Sequence, residues 1–195
     1  MASFNSAYQA VIKRFEGGYS DRAADRGGET IYGISRVKHP RFKIWARVDE
    51  LKAAAKGSPE ILLNNDSALL AMARDFYKAR WNRFHGDDIP DQTMADKLFD
   101  MQTLLGHGGM TRRVQRILNV FNKRGTIYRD IKVDGGFGPN TLRALKANLR
   151  EFGHRNMVTG SNVLQAYKLI QLAEKDESQE DNMNGWFNRV RLSEA

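Results

Sequence analysis

Phe4-Asn5-Ser6-Ala7-Tyr8-Gln9-Ala10-Val11-Ile12-Lys13-Arg14-Phe15-Glu16-Gly17-Gly18-Tyr19 is the stretch from which the rest of the chain is read. Phe4, Tyr8, Val11, Ile12 and Phe15 recur at helical spacing, so the segment predicts an amphipathic helix with one face on a core. Gly17 and Gly18 end it, because glycine takes left-handed backbone angles at little cost and serves as a helix C-cap. Glu16 is thereby left on the last turn. There the negative end of the helix dipole opposes ionisation by roughly 0.3–1 kcal/mol, and Ile12 and Phe15 withdraw water from the carboxyl. Both effects predict a raised pKa, the property a general acid needs near neutral pH. The plainer alternative is a solvated carboxylate at a helix end.

A second glycine-punctuated stretch follows closely, Asp25-Arg26-Gly27-Gly28-Glu29-Thr30 and then Tyr32-Gly33-Ile34. Two carboxyl groups flanking a sugar bond are the usual equipment of a glycosidase, and Asp21, Asp25 and Glu29 are all candidates for the second one. Asp25 is preferred because it shares a loop with Thr30, and that loop folding back over Glu16 would set the two acids across a cleft. As a base on water Asp25 implies inversion, with Thr30 helping to hold the water. Either residue can instead be turn chemistry: an aspartate before Gly27-Gly28 caps its own backbone in an Asx-turn, and a threonine hydroxyl satisfies a turn carbonyl.

The order Glu16-Gly17-Gly18-Tyr19, Asp25, Gly27-Gly28, Thr30, Gly33-Ile34 resembles the N-terminal signature of glycoside hydrolase family 108, the N-acetylmuramidases of phage endolysins and secretion-linked bacterial muramidases. Ile89-Pro90, Ala95 and Phe99-Asp100 are similar to that family's middle segment. Val133-Asp134-Gly135, Phe137-Gly138-Pro139 and Thr141 resemble its peptidoglycan-binding C-terminal part, and Gly185-Trp186-Phe187 with Arg189-Val190 its end. Leu104 departs from the pattern, standing where the family carries an asparagine, while Gly106 remains. The resemblance implies an all-α, lysozyme-like helical fold with a small C-terminal helical peptidoglycan-binding-like part. It implies residues 1–108 as the muramidase part and 109–195 as the binding part, packed as one compact unit. It further implies cleavage of the β-1,4 bond between N-acetylmuramic acid and N-acetylglucosamine, Glu16 as catalytic acid, substrate contacts at Tyr19, Glu29, Tyr32 and Asp100, no metal and no cofactor.

Composition narrows the field independently. With 195 residues, 41% of them hydrophobic, the chain has enough apolar mass for one core and a small appendage. Zero cysteines exclude the thiol nucleophile of cysteine peptidases that cut wall peptides. His39, His85, His107 and His154 are too scattered for the paired spacing of a zinc amidase, and no glycine run continues into Lys-Ser or Lys-Thr as a phosphate loop would.

The net charge is +8, and it is unevenly placed: between Leu105 and Leu172 stand 12 Lys or Arg against 3 acids, Asp130, Asp134 and Glu151. Such an excess concentrates a protein on a polyanion and weakens with salt. The expected partners are peptidoglycan glycan strands and the anionic wall surface, with the protein acting as a monomer. A nucleic-acid binder rests on charge alone, since no base-reading motif or aromatic stacking row accompanies it. A wall-binding protein without catalysis is the other alternative.

Helical patterns continue through the chain. Ser58-Pro59-Glu60 predicts a helix start. Leu69, Met72, Phe76 and Ala79, with Trp81 near the end, predict the core face of a longer helix, and Met94, Leu98, Met101 and Leu105 another that ends at Gly106, Gly108 and Gly109. Thr111 is expected to cap the next, and Asn140 or Thr141 the one after Asp134-Gly135-Gly136. A last long helix is expected from Asn162, carrying Leu164, Tyr167, Ile170 and Ala173. No long β-alternating segment appears. Asn5, Gln9 and Lys13 interrupt any apolar core near the N-terminus, and no membrane-spanning run exists. The expectation is cytoplasmic synthesis without a cleavable leader and action on the wall, through host lysis, a secretion machine or a virion.

Overall fold

The computed structural model describes residues 1–13, 17–21 and 28–190. The fold is the expected all-α, lysozyme-like one, relieved among the described residues by three strands of two residues each. The chain divides into two compact units, Met1–Ala7 with Arg80–Ala195, and Tyr8–Ala79.

The opening helix begins as α1 (Phe4–Ala7) and continues as a π-helical stretch, Tyr8–Lys13. Its expected core face is real: Phe4, Tyr8, Val11 and Ile12 are all buried. The wider π winding was not legible in the residue pattern. In the smaller unit, β1 (Tyr19–Ser20), β2 (Thr30–Ile31) and β3 (Ile34–Ser35) form an antiparallel sheet in that order, with Tyr19 opposite Ile31 and Ile31 opposite Ile34. The β2–β3 turn is Tyr32-Gly33, and both residues have positive φ, 48° and 75°. Positive φ at both central positions is the two-residue hairpin turn that matches the twist of its strands. A tyrosine there is strained, so something must hold it.

Helix α2 (Ile44–Ala54) buries Ile44, Trp45 and Val48, and α3 (Glu60–Asn65) buries Leu63. Pro59, expected at the first helical position, is instead the N-cap of α3, so the helix begins one residue later at Glu60. The core face of α4 (Ser67–Arg83) keeps the expected Leu69 and Trp81 but sets Ala73 and Tyr77 between them in place of Met72, Phe76 and Ala79. The apolar residues there are spread widely enough that the pattern alone chose a neighbouring stripe.

The larger unit is built on Trp81, whose ring lies within 5.3 to 6.1 Å of Phe84, Phe99 and Phe4 in edge-on or tilted contacts. Aromatic pairs in such geometry contribute about 0.5–1.5 kcal/mol each beyond their burial. The indole N–H donates to Asp87 at 2.7 Å, so the buried ring leaves no orphan donor. The long helical span α5 (Gln92–Phe121) begins at Asp91, whose carboxylate accepts from the Met94 N–H at 2.8 Å as an N-cap. It breaks at Gly106 alone (φ 73°, ψ 165°) and resumes at once. Thr111 is therefore inside a helix, not at its start, and its hydroxyl donates back to the His107 carbonyl at 2.8 Å.

Helix α6 (Pro139–Phe152) starts at a Gly138 cap with proline in the first position, so neither Asn140 nor Thr141 caps it. Helix α7 (Arg155–Lys175) starts seven residues before the expected Asn162. Its buried stripe is Met157, Val158, Ser161, Asn162, Gln165, Leu169 and Ala173, while Tyr167 and Ile170 are exposed. A 3₁₀ turn, Glu177–Asn182, and α8 (Met183–Val190) complete the described chain.

One titrating group in this unit gives the fold a pH signature. Burial pushes the Asp96 carboxyl up to about 6, with the Asp91 charge adding to the effect and a hydrogen bond from Gln92 opposing it. A carboxyl whose folded pKa is raised stabilises the fold in its protonated form, an effect complete below its unfolded value and lost as pH rises through about 6. Asp96→Asn is accordingly expected to melt with wild type near pH 4 and a few degrees above it at pH 8, as read by calorimetry across that range.

Candidate functional site

Glu16 and Asp25, the two acids expected to do chemistry, lie outside the described residues. What the structure describes is the frame on either side of them, in the unit Tyr8–Ala79.

That frame is organised by Glu29. Its side chain is only 11% exposed and accepts from the Tyr19 hydroxyl at 2.9 Å, from Lys52 Nζ at 2.7 Å and from Arg36 Nη1 at 2.7 Å. Burial alone would raise its pKa, but the Lys52, Arg36 and Tyr19 hydrogen bonds more than offset it, so the carboxyl is held below its ordinary value. Glu29 is thus a fixed anion at neutral pH, the opposite of a proton donor. Arg36 is shared with Asp49 through two bonds of 2.7 Å, which ties β2–β3 to α2. Lys52 also lies 5.6 Å over the Tyr19 ring and 3.5 Å from Asp21. Burial raises the Tyr19 pKa, and the phenol stays protonated to donate to Glu29.

Tyr32 is held from both ends. Its hydroxyl donates to the Leu63 and Asn64 carbonyls at 3.1 and 3.0 Å, and its own carbonyl accepts from the Tyr77 hydroxyl at 2.9 Å. These bonds supply what keeps a tyrosine in a left-handed turn. Thr30 Oγ1 donates to the Gly28 carbonyl at 3.0 Å, which leaves its lone pairs to accept.

Asn64 is a member of this site that the sequence did not reveal. Its Oδ1 accepts from the Tyr19 N–H at 2.7 Å, and a Cβ placed on Gly18 would come within 2.2 Å of the same oxygen. Gly18 thus leaves room for the Asn64 side chain by close approach and not by a left-handed backbone angle, so a side chain there must displace Asn64. Arg36 and Lys52 were missed for the same reason: their partners stand 7 and 23 residues away and no local spacing announces them.

Asp100 belongs to the other unit. It is fully buried, accepting from Arg189 Nε and Gln165 Nε2 at 2.8 Å each, with Lys97 Nζ at 4.0 Å. No oxygen of this carboxylate faces solvent, unlike Tyr19, Glu29, Thr30 and Tyr32, which the structure gathers around one hairpin. Leu104, in the family's asparagine position, is half-buried two residues before the Gly106 break. Among the described residues no group of three or more His, Cys, Asp or Glu side chains is arranged to hold a metal ion.

The site so described is a short hairpin, pinned by Glu29, Asn64 and Tyr32, within an all-α lysozyme-like fold. Residues 9–106 match the family model described as Glycosyl hydrolase 108, and residues 110–191 match one described as Predicted Peptidoglycan domain. The chain belongs to the glycosyl hydrolase 108 family, and with its C-terminal peptidoglycan domain it is a peptidoglycan hydrolase. The structure of SagA from Brucella abortus is similar to it with a TM-score of 0.63 at 22% identity, over 98% of this chain and 91% of that one. At that identity the likeness is one of fold. A search of the curated proteins found no match.

Two measurements test the frame. Gly18→Ala is expected to displace Asn64 and lower the melting temperature by several degrees, whereas adding Asn64→Ala should cost less than the sum of the two single changes, as a double-mutant cycle would read. Glu29→Gln removes a carboxylate whose pKa is depressed, so its stabilisation is present above the ordinary glutamate range and lost as pH falls through the folded value. The variant should melt below wild type at pH 7, with the gap closing in acid as wild-type Glu29 protonates.

Proposed function

We propose that this hydrolase is an N-acetylmuramidase, cleaving the β-1,4 bond between N-acetylmuramic acid and N-acetylglucosamine with Glu16 as general acid. The observation that carries the reading is the match of residues 9–106 to the glycosyl hydrolase 108 family, a span that includes the Glu16-Gly17-Gly18-Tyr19 signature. Glu16 delivers its proton to the glycosidic oxygen as the bond breaks. Asp25 takes a proton from the attacking water on the opposite face, and Thr30, its hydroxyl proton committed to Gly28, accepts from that water. This pairing inverts the anomeric centre.

The state of Glu29 supports the division of labour. An acid held ionised by Lys52 and Arg36 is a poor proton donor, which argues against Glu29 as the general acid. The half-exposed rings of Tyr19 and Tyr32, their hydroxyls anchored, offer faces to the sugar. Asp100 contributes from within the larger unit by holding its helices. Residues 1–108 carry the cleavage and 109–195 the grip on the wall, where the 12 cations between Leu105 and Leu172 favour an anionic polymer over bulk water.

Glu16→Gln keeps the shape of the side chain and removes the transferable proton. Wall lysis is expected to fall by at least about a hundredfold, the low end for general acid catalysis, with an unchanged melting profile. Mass spectrometry of wild-type digests should show N-acetylmuramic acid at the new reducing ends. A normal lytic rate in the variant removes Glu16 from the mechanism, and N-acetylglucosamine ends remove the muramidase reading.

A further inference from the structure

A cavity of about 560 Å³ lies within the larger unit, well apart in sequence from the hairpin that frames the acids. One wall is α6, which presents Lys146, Leu149 and Arg150 on one face; the other comes from the chain before α5, with Asp88, Pro90 and Asp91, and from His154. Its charges are not equivalent. Asp91 is saturated, one oxygen capping α5 through the Met94 N–H and the other 2.8 Å from His154 Nδ1. Asp88 is more than half exposed and has only a 3.6 Å approach from His85. Lys146 and Arg150 are exposed and make no ion pair among the described residues. They stand four positions apart on one helix, where like charges repel by a few tenths of a kcal/mol and a bound anion relieves the repulsion. Between them Leu149 is 8% exposed and, with Pro90, forms an apolar floor.

Resting on the reading of the chain as a wall hydrolase, the geometry points to this cavity as a site for the peptide stem of peptidoglycan. The carboxylate of the stem sits against Lys146 and Arg150, an alanyl methyl against Leu149 and Pro90, and an amino group against Asp88. Two cations beside a free carboxylate over an apolar floor suit a zwitterionic peptide rather than a polyanion, which Asp88 repels. The volume is that of a small-ligand site, large enough for two or three residues. The enzyme thereby reads peptide-bearing strands at one place and cuts sugar at another.

Isothermal titration of the full chain with the free stem tetrapeptide tests this, with inorganic phosphate and a peptide-free N-acetylglucosamine oligosaccharide as competitors. Wild type should bind the tetrapeptide, and Lys146→Gln/Arg150→Gln, both at exposed positions, should weaken it at least tenfold while the melting temperature stays unchanged. No binding, equal binding by the double variant, or displacement by equimolar phosphate overturns the proposal. The reducing ends released from wall by wild type report separately on cleavage: muramic ends with no stem binding sink the pocket alone, and stem binding with other ends sinks the muramidase reading alone.

Discussion

A carboxylate with no exposed surface sets the terms for the larger unit. Asp100 on α5 is met by Arg189 from α8, by Gln165 from α7 and, at longer range, by Lys97 one turn before it on its own helix. Taking these charges from water costs several kcal/mol per ion, and the cost is recovered only while every partner is in place. Arg189 stands 89 residues from Asp100, so the pair exists only once the chain has come back upon α5. Removing one member of such a group typically costs about 3–5 kcal/mol, much more than most surface ion pairs contribute. The aromatic cluster around Trp81 supplies bulk stability; the buried charges make one arrangement of α5, α7 and α8 far better than its neighbours.

The smaller unit solves a different problem with the same means. Its sheet has only two residues per strand, too little ladder to stand alone. Side chains replace the missing backbone bonds. Glu29 gathers Tyr19, Lys52 and Arg36, while Tyr32 reaches the end of α3, so the hairpin is fastened to α2 and α3 on both sides. Strain at Tyr32 and close approach at Gly18 are tolerated because the surroundings over-determine them. Such places belong where a loop must be held in one position for chemistry.

Much of this was legible in the residues and some was not, for identifiable reasons. Helix existence and the buried face of the first helix at Phe4, Tyr8, Val11 and Ile12 followed from hydrophobic period, while the left-handed angle expected at Gly18 is absent. The stripe of α7 did not: its buried side is Ser161, Asn162 and Gln165 among apolar neighbours, and its exposed side carries Val163, Tyr167 and Ile170. Hydrophobic period assumes that the inward face is apolar, and here the buried Asp100 asks that face for a polar partner, Gln165. The three glycines after Leu105 looked like one terminator, yet only Gly106 leaves helical angles. Gly109 stays helical, with its carbonyl accepting from Arg113. Around the hairpin, the sequence singled out Tyr19, Glu29 and Thr30, but the cations that settle the ionisation of Glu29 come from separate elements and left no trace in local spacing.

Charge placement then separates two kinds of work. In the smaller unit Arg36, Arg47 and Lys52 are each committed to carboxylates at 2.7 Å, so they hold structure and offer little to a distant polyanion. In the larger unit the balance reverses: between Leu105 and Leu172 12 cations face 3 acids, and two of those acids, Asp130 and Asp134, accept from the side chains of Asn122 and Gln115 rather than from a cation. Cations without internal partners keep their field in solvent, where it falls off over about 8–10 Å at ordinary salt. A field of that range acts on whatever polymer lies next to the surface. Paired charge fastens the hairpin to α2, while exposed cations such as Lys146 and Arg150 keep their field in solvent.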